Sequence, residues 1–237
     1  MNITNADIKQ LKDKKYKREN KLFAVEGNKF CYDLLNSDIE IVMTLTSDKN
    51  LKGFPNIEVV SEKMLSSLAT TKTNKSIICI CRVKDFGIES VGNSLILDNL
   101  QDPGNVGTLV RSALAFGFKD IYLVEGADPY SEKVIRSSAG LIMSARLHIC
   151  SFEEVEKNKN KIANVFMVAD MDGENINSLK PTKNKVAVIV GNEGQGVGDR
   201  FLKLANKTVS IPMMPQVESL NAGVAGSIIM QKLSELN

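Results

Sequence analysis

The chain has one histidine and four cysteines among its 237 residues, and no Cys-x-x-Cys pair. A Ser-His-Asp or Cys-His machine would rest wholly on His148. That residue lies in the strand-like run Leu147-His148-Ile149-Cys150 with no obvious partner. A structural histidine is the better reading, and it weakens every hydrolase reading. Cys31, Cys79, Cys81 and Cys150 read as reduced structural thiols, and no metal site is expected. No apolar run approaches the roughly 18 residues of a membrane helix, and residues 1–15 lack the apolar centre of a signal peptide. The expectation is a cytoplasmic protein without membrane contact. Charge of one sign is also lacking: 30 Lys and Arg against 28 Asp and Glu leave a net +2. Any nucleic-acid contact must come from a local patch. There is no Walker A loop, no G-x-G-x-x-G, no internal repeat and no low-complexity tract, so the usual phosphate fingerprints of nucleotide enzymes are missing.

What is present is ordinary globular composition, 43% hydrophobic and 24% charged, enough for one large domain or two small ones. Residues 3–21 are polar and helical in pattern. Lys9, Lys12, Lys14, Lys15, Lys17, Arg18 and Lys21 face Asp13 and Glu19 there. This is either a solvated helix face or a phosphate-contacting arm. Residues 22–26 read as a strand, 28–35 as a helix, 39–46 as a strand, 61–69 as a helix capped by Ser61, and 77–83 as a strand. That alternation closes a small α/β domain over residues 1–88. The second domain, 89–237, opens with the strand 94–98 and a turn-rich loop. A helix over 106–116 follows with Asn105 at its N-cap, Val106, Leu109, Val110, Ala113 and Leu114 on one face, and Arg111 off that face. Strands at 121–124, 146–149, 165–169, 186–190 and 209–213 and a helix over 132–143 argue for a parallel sheet with covering helices. The run Val186–Val190 has the length and composition of a strand buried on both faces.

Three loops at strand ends carry polar residues with few other duties. They are Asp102-Pro103-Gly104-Asn105 with Arg111, Gly191-Asn192-Glu193-Gly194-Gln195-Gly196, and Ser219-Leu220-Asn221. Asp199 is the next good N-cap after the glycine-rich loop. The carboxyl edge of an open sheet is where ligands bind. The glycines of the middle loop would let backbone approach an uncharged or cationic ligand such as an adenosyl group, or simply turn the chain.

The segments DPGNVGTLVRSALAFGF, VIVGNEGQGV and SIPMMPQVESLNAGVAG resemble the three ordered motifs of the SpoU, or TrmH, family of the SPOUT superfamily. The stretch KKYKRENKLFAVEGNKFCYDLL resembles that family's substrate-binding domain, which is related to a small ribosomal RNA-binding fold. The resemblance implies an S-adenosylmethionine-dependent RNA ribose 2′-O-methyltransferase, a homodimer, with a deep trefoil knot in the C-terminal domain. The knot is a rare exception to chain topology that composition could not reveal. The small residues Ala222, Gly223, Ala225, Gly226 and Ser227 are compatible with close packing of the last helix. By analogy, Gly191, Asn192, Gly194, Ile211, Met213, Leu220 and Asn221 hold the cofactor. Asn105, Arg111, Glu193, Ser219 and Asn221 line the reaction centre, and Lys14, Lys15, Lys17 and Arg18 bind RNA. Pro215 stands where the family usually has glycine, which implies a stiffer loop or a lost backbone hydrogen bond. Large-subunit ribosomal RNA is the favoured substrate and transfer RNA the second. The rival readings are a non-catalytic RNA-binding or ribosome-assembly protein of the same fold, and a nucleotide-binding enzyme of the doubly wound class.

Overall fold

The computed structural model describes Asp7, Gln10 and residues 13–69 and 76–236. Lys9, Lys12 and the side chains of Lys14, Lys17 and Arg18 lie outside the described residues. The chain forms two compact units, Met1–Lys84 and Asp85–Asn237.

The first unit contains α1 (Lys14–Asn20), β1 (Leu22–Glu26), α2 (Asn28–Leu34), β2 (Ile41–Thr46), β3 (Ile57–Val59), α3 (Glu62–Leu68) and β4 (Ile77–Arg82). Its sheet has the order β1-β4-β2-β3. The central strand β4 runs antiparallel to both neighbours and is buried from Ile77 to Cys81, which explains its unbroken apolar run. Leu22, Leu45, Leu65, Leu68, Ile78 and Ile80 form the core. Ser61 caps α3 as expected, its hydroxyl accepting the Met64 N–H at 3.2 Å. The strand β3 was not legible: three residues with an exposed-intermediate-exposed pattern give no period to read. All four cysteines are free thiols, and Cys31, Cys79 and Cys81 are buried.

The second unit contains β5 (Ser94–Asp98), α4 (Pro103–Ala115), β6 (Asp120–Val124), α5 (Glu132–Ser137), β7 (Arg146–Cys150), α6 (Phe152–Lys157), α7 (Lys159–Ile162), β8 (Val165–Asn175), β9 (Val186–Val190), α8 (Asp199–Leu204), β10 (Lys207–Ser210) and α9 (Ala222–Glu235). The six-stranded sheet has the order β10-β8-β9-β5-β6-β7, and every pairing is parallel. β5, β6 and β9 are buried at each residue, as a helix-covered parallel sheet requires. The expected α/β architecture is therefore present. The chain lays down β5, β6 and β7 to one side, then returns to place β9 on the other side of β5. That reversal of order opens a crevice at the carboxyl ends of the strands.

Several expected boundaries move. α4 starts at Pro103, and its N-cap is Asp102 rather than Asn105; the Asp102 carboxylate accepts the Gly104 N–H at 3.0 Å. Proline is favoured at a first helical position because its missing N–H would be unpaired there anyway. The helix expected over 132–143 stops at Ser137. Ala139 and Gly140 adopt φ of +54° and +86°, and a 3₁₀ turn, Leu141–Ser144, follows. β8 continues to Asn175, with residues 169–173 bulging out of the β10 pairing. β10 ends at Ser210, before Pro212, which has no N–H to extend a ladder. Asp199 is the first residue of α8 and not its cap; Gly198 precedes it without a side-chain cap. The capping box of Ser151 and Glu154 that starts α6 went unread.

His148 is structural, and it has partners. Its Nδ1 lies 2.7 Å from the Gly87 carbonyl and its Nε2 2.9 Å from Asp120 Oδ1. The ring stacks on Tyr122 with centroids 4.3 Å apart. Asp120, fully buried, also accepts from Arg146 Nε at 2.7 Å and from the Val91 N–H at 2.8 Å. The Tyr122 hydroxyl donates to the Ile88 carbonyl at 3.1 Å, and Lys185 Nζ donates to the Ser90 carbonyl at 2.8 Å. Residues 87–91, which lead into β5, are thus strapped to the rest of the second unit.

Candidate active site

The middle of β8, the carboxyl ends of β9 and β10 and the first turns of α9 surround a cleft of about 540 Å³. Gly191, Asn192, Gly194, Ile211, Met213, Leu220 and Asn221, the residues expected to hold the cofactor, all line it, as do Glu193 and Ser219.

At its centre Glu193 gathers the loop after β5. One carboxylate oxygen accepts the Asp102 N–H at 3.1 Å and Asn105 Nδ2 at 3.0 Å, and the other accepts the Gln101 N–H at 3.3 Å. Burial alone would raise this carboxyl, but the hydrogen bonds from Asn105 and the backbone outweigh it and hold the group below the ordinary glutamate range. Asn105, buried in the first turn of α4, passes the chain of bonds on: its Oδ1 accepts Asn221 Nδ2 at 2.9 Å. Asn221 Oδ1 in turn caps α9 by accepting the Gly223 and Val224 N–H groups at 2.9 and 3.3 Å. Three loops far apart in sequence therefore meet in one hydrogen-bonded line.

Arg111 and Ser219 do not join that line. Arg111 is exposed on α4, with no hydrogen bond or ion pair among the described residues. It lies six residues, roughly 9 Å of helix, beyond Asn105, and helical side chains lean back toward the N-terminus. Ser219 is exposed at the cleft wall. Of the expected RNA-binding cations, Lys15 is exposed on α1 and 3.9 Å from Glu19. The side chains of the other three lie outside the described residues.

The loop after β9 builds itself. Asn192 Oδ1 accepts the Gly194 and Gln195 N–H groups at 2.9 and 3.1 Å, and its Nδ2 donates to the Asn99 carbonyl at 3.0 Å. A side chain on Gly191 would sit 2.2 Å from the Gly196 carbonyl oxygen. Gly191 is glycine because its own loop folds back on it, so the close approach first read as toward a ligand is met within the chain. Pro215 is also accounted for. The Val217 N–H donates to the Met214 carbonyl at 3.0 Å, which sets proline at the second position of a turn that favours it, with no N–H required.

Two carboxylates, Glu193 and Asp170, line the cleft, and among the described residues no Lys, Arg or His side chain does. Val190, Ile211, Leu220 and Ile229 supply apolar wall. Such a surface suits a flat, uncharged base with a cationic group and is unsuited to pyrophosphate, so the residues present fit an adenosyl sulfonium. Asp170 and Met171 were missed because the expected strand ended at residue 169, whereas β8 runs on through both. Among the described residues no cluster of three metal-ligating side chains occurs, and no helix is long and apolar enough to cross a membrane.

Residues 92–231 match the model of the SpoU rRNA Methylase family, and residues 5–79 match an MRM3-like substrate binding domain. The 23S rRNA (guanosine(2553)-2′-O)-methyltransferase RlmP of Bacillus subtilis is 30% identical over 236 residues, covering 96% of this chain and 94% of that protein. An AdoMet-bound rRNA methyltransferase from Sinorhizobium meliloti has the same fold, with a TM-score of 0.83 at 23% identity over 98% of this chain and 94% of that one. So does the SpoU methyltransferase AviRb from Streptomyces viridochromogenes, in complex with AdoMet, with a TM-score of 0.84 at 20% identity over 99% and 98%. The chain belongs to the SpoU rRNA methylase family, enzymes that move a methyl group from S-adenosylmethionine to an RNA ribose 2′-hydroxyl.

Proposed function

We propose that this enzyme methylates a ribose 2′-hydroxyl of large-subunit ribosomal RNA, with transfer RNA the second candidate. The observation that carries the reading is the match along nearly the whole chain, both units included, to a 23S rRNA enzyme. Residues 1–88 would read the RNA, through Lys14, Lys15, Lys17 and Arg18 among others, and residues 89–237 would carry out transfer. The work is cytoplasmic in this reading. Val224 and Ile228, exposed one helical turn apart on α9, supply an apolar surface for a second copy of the chain. The trefoil knot would thread the last segment of the chain through a loop around the cofactor.

S-adenosylmethionine supplies an electrophilic methyl carbon when bound. The protein must set the ribose oxygen about 3 Å from it and ease the loss of the hydroxyl proton. Glu193, held ionised by donors on three sides, is a poor proton acceptor; its role is to fix Asn105 and the loop 101–102. Asn105 and Asn221 orient the reacting groups, and Ser219 hydrogen-bonds substrate or cofactor at the rim. A guanidinium offers donors and no acceptor, so Arg111 serves as a clamp on a substrate phosphate and as a stabiliser of the developing alkoxide, the proton passing to phosphate or water.

The test is incubation of purified protein with radiolabelled S-adenosylmethionine and separate pools of unmodified ribosomal and transfer RNA. Label recovered as a 2′-O-methyl nucleotide from ribosomal RNA supports the reading. Label from transfer RNA alone reassigns the substrate. Absence of label, with ribosomal RNA still bound, favours a non-catalytic assembly role.

A further inference from the structure

The two carboxylates of the cleft are not equivalent. Glu193 is committed to Gln101, Asp102 and Asn105. Asp170 accepts one hydrogen bond, from the Asp172 N–H at 3.1 Å, and forms no ion pair among the described residues. It is half-buried at the end of the straight part of β8. The pairing of β8 with β9 ends at Val168 and Ile189, and just past that point Asp170 and Gly191 both line the cleft; in the sheet order β8 lies on the far side of β9 from β5. The carboxylate thus flanks the cleft on the side opposite the loop that holds Asn105, and no cation in the lining cancels it.

We propose that Asp170 is a specificity-determining residue that lets the cleft tell methyl donor from product by charge. The proposal rests on the methyl-donor reading above. Donor and product share the base, the ribose and the amino-acid end. They differ by one methyl group and by the positive charge on sulfur, which is lost when the methyl leaves. Apolar walls such as Ile211 and Leu220 distinguish one methyl group only weakly. A fixed carboxylate in a partly water-excluded cleft acts on the charge itself. Asp170 therefore weakens retention of the neutral thioether relative to the sulfonium and relieves product inhibition.

The test is calorimetric titration of the full chain with S-adenosylhomocysteine and with sinefungin. The latter places an ammonium-bearing carbon where the sulfonium stands and transfers no methyl. Wild-type protein should bind sinefungin about five- to tenfold more tightly, with the margin shrinking as salt is raised. Asp170→Asn keeps the oxygen that accepts the Asp172 N–H and should bring the two affinities within about twofold. Asp170→Glu should retain the preference, and so should Asp172→Asn, which removes an exposed neighbouring carboxylate. Unchanged discrimination in Asp170→Asn, or an equal loss for both ligands, overturns the proposal. Failure of the folded wild-type chain to bind either ligand would instead sink the methyl-donor reading itself.

Discussion

Arg111 is an exposed cation on α4 with no hydrogen bond or ion pair among the described residues, outside the line that ties Glu193, Asn105 and Asn221 together. Its removal should spare the hydrogen-bonded line of Glu193, Asn105 and Asn221. Arg111→Ala should lower single-turnover methyl transfer by about two to three decades, the scale for losing one transition-state donor. Cofactor affinity, measured separately by titration, should stay within about twofold; equal losses in both would show that Arg111 supports the cleft and not the reaction. Asp120 behaves in the opposite way, as a buried anion saturated with donors. Burial acts to raise its carboxyl, yet the bonds from His148, Arg146 and the Val91 N–H outweigh it and hold the group below the usual aspartate range. A depressed folded value means stability that is full above the ordinary value near pH 4 and lost as pH falls through the folded one. Asp120→Asn should therefore cost about 3 kcal/mol at neutral pH. The gap from wild type in denaturant melts should narrow below about pH 4. None of this could be read from the neighbourhood of His148. Its partners Gly87 and Asp120 are 61 and 28 residues away in sequence, and only the sheet brings them together.

At the scale of elements, most of what was legible rested on period and composition, and most of what was lost rested on competition between neighbours. β9 and the apolar face of α4 follow directly from their residues. The start of α4 did not, because both Asp102 and Asn105 are good caps; Pro103 at the first helical position decides for Asp102. β10 was drawn too long because apolar content outvoted Pro212. α9 shows how small residues serve an element. A Cβ on Gly226 would sit 2.4 Å from Leu109 Cδ2 and 2.9 Å from Val190 Cγ2, so the helix seats on α4 and β9 at that point. Gly226→Ala should cost about 1–3 kcal/mol by overpacking, read as a lowered melting temperature. Pairing it with Leu109→Val, which pulls the crowded methyl group back, should recover part of the loss. If Gly226→Ala melts like wild type, the close seat of α9 is not a constraint.

For the whole molecule, a net charge of +2 over 237 residues cannot by itself draw the chain to RNA. The expectation of a local arm on α1 makes a whole-molecule prediction. Changing Lys14, Lys15, Lys17 and Arg18 together to Gln should weaken RNA binding and flatten the slope of log affinity against log salt by up to about three to four units. The helical melt and cofactor affinity should not change. An unaltered slope would return the stretch to a merely solvated face. The three motifs read in the sequence do meet at one edge of one sheet, through Glu193, Asn105 and Asn221. Their wiring was not legible there, since the bond from Glu193 to Asn105 spans 88 residues and that from Asn221 to Asn105 spans 116.

The strap at residues 87–91 sets a rule for recombination. The Gly87, Ile88 and Ser90 carbonyls are held by His148, Tyr122 and Lys185, so the segment just past the first unit is, in bonding terms, already catalytic scaffold. A graft that exchanges the N-terminal module at Lys84 leaves every one of those bonds intact. A graft made a few residues later, at the start of β5, takes the Val91 N–H from buried Asp120 and the Gly87 carbonyl from His148. The first kind of join leaves the folded second unit whole whatever module precedes it, whereas the second leaves buried polar groups of that unit without a partner.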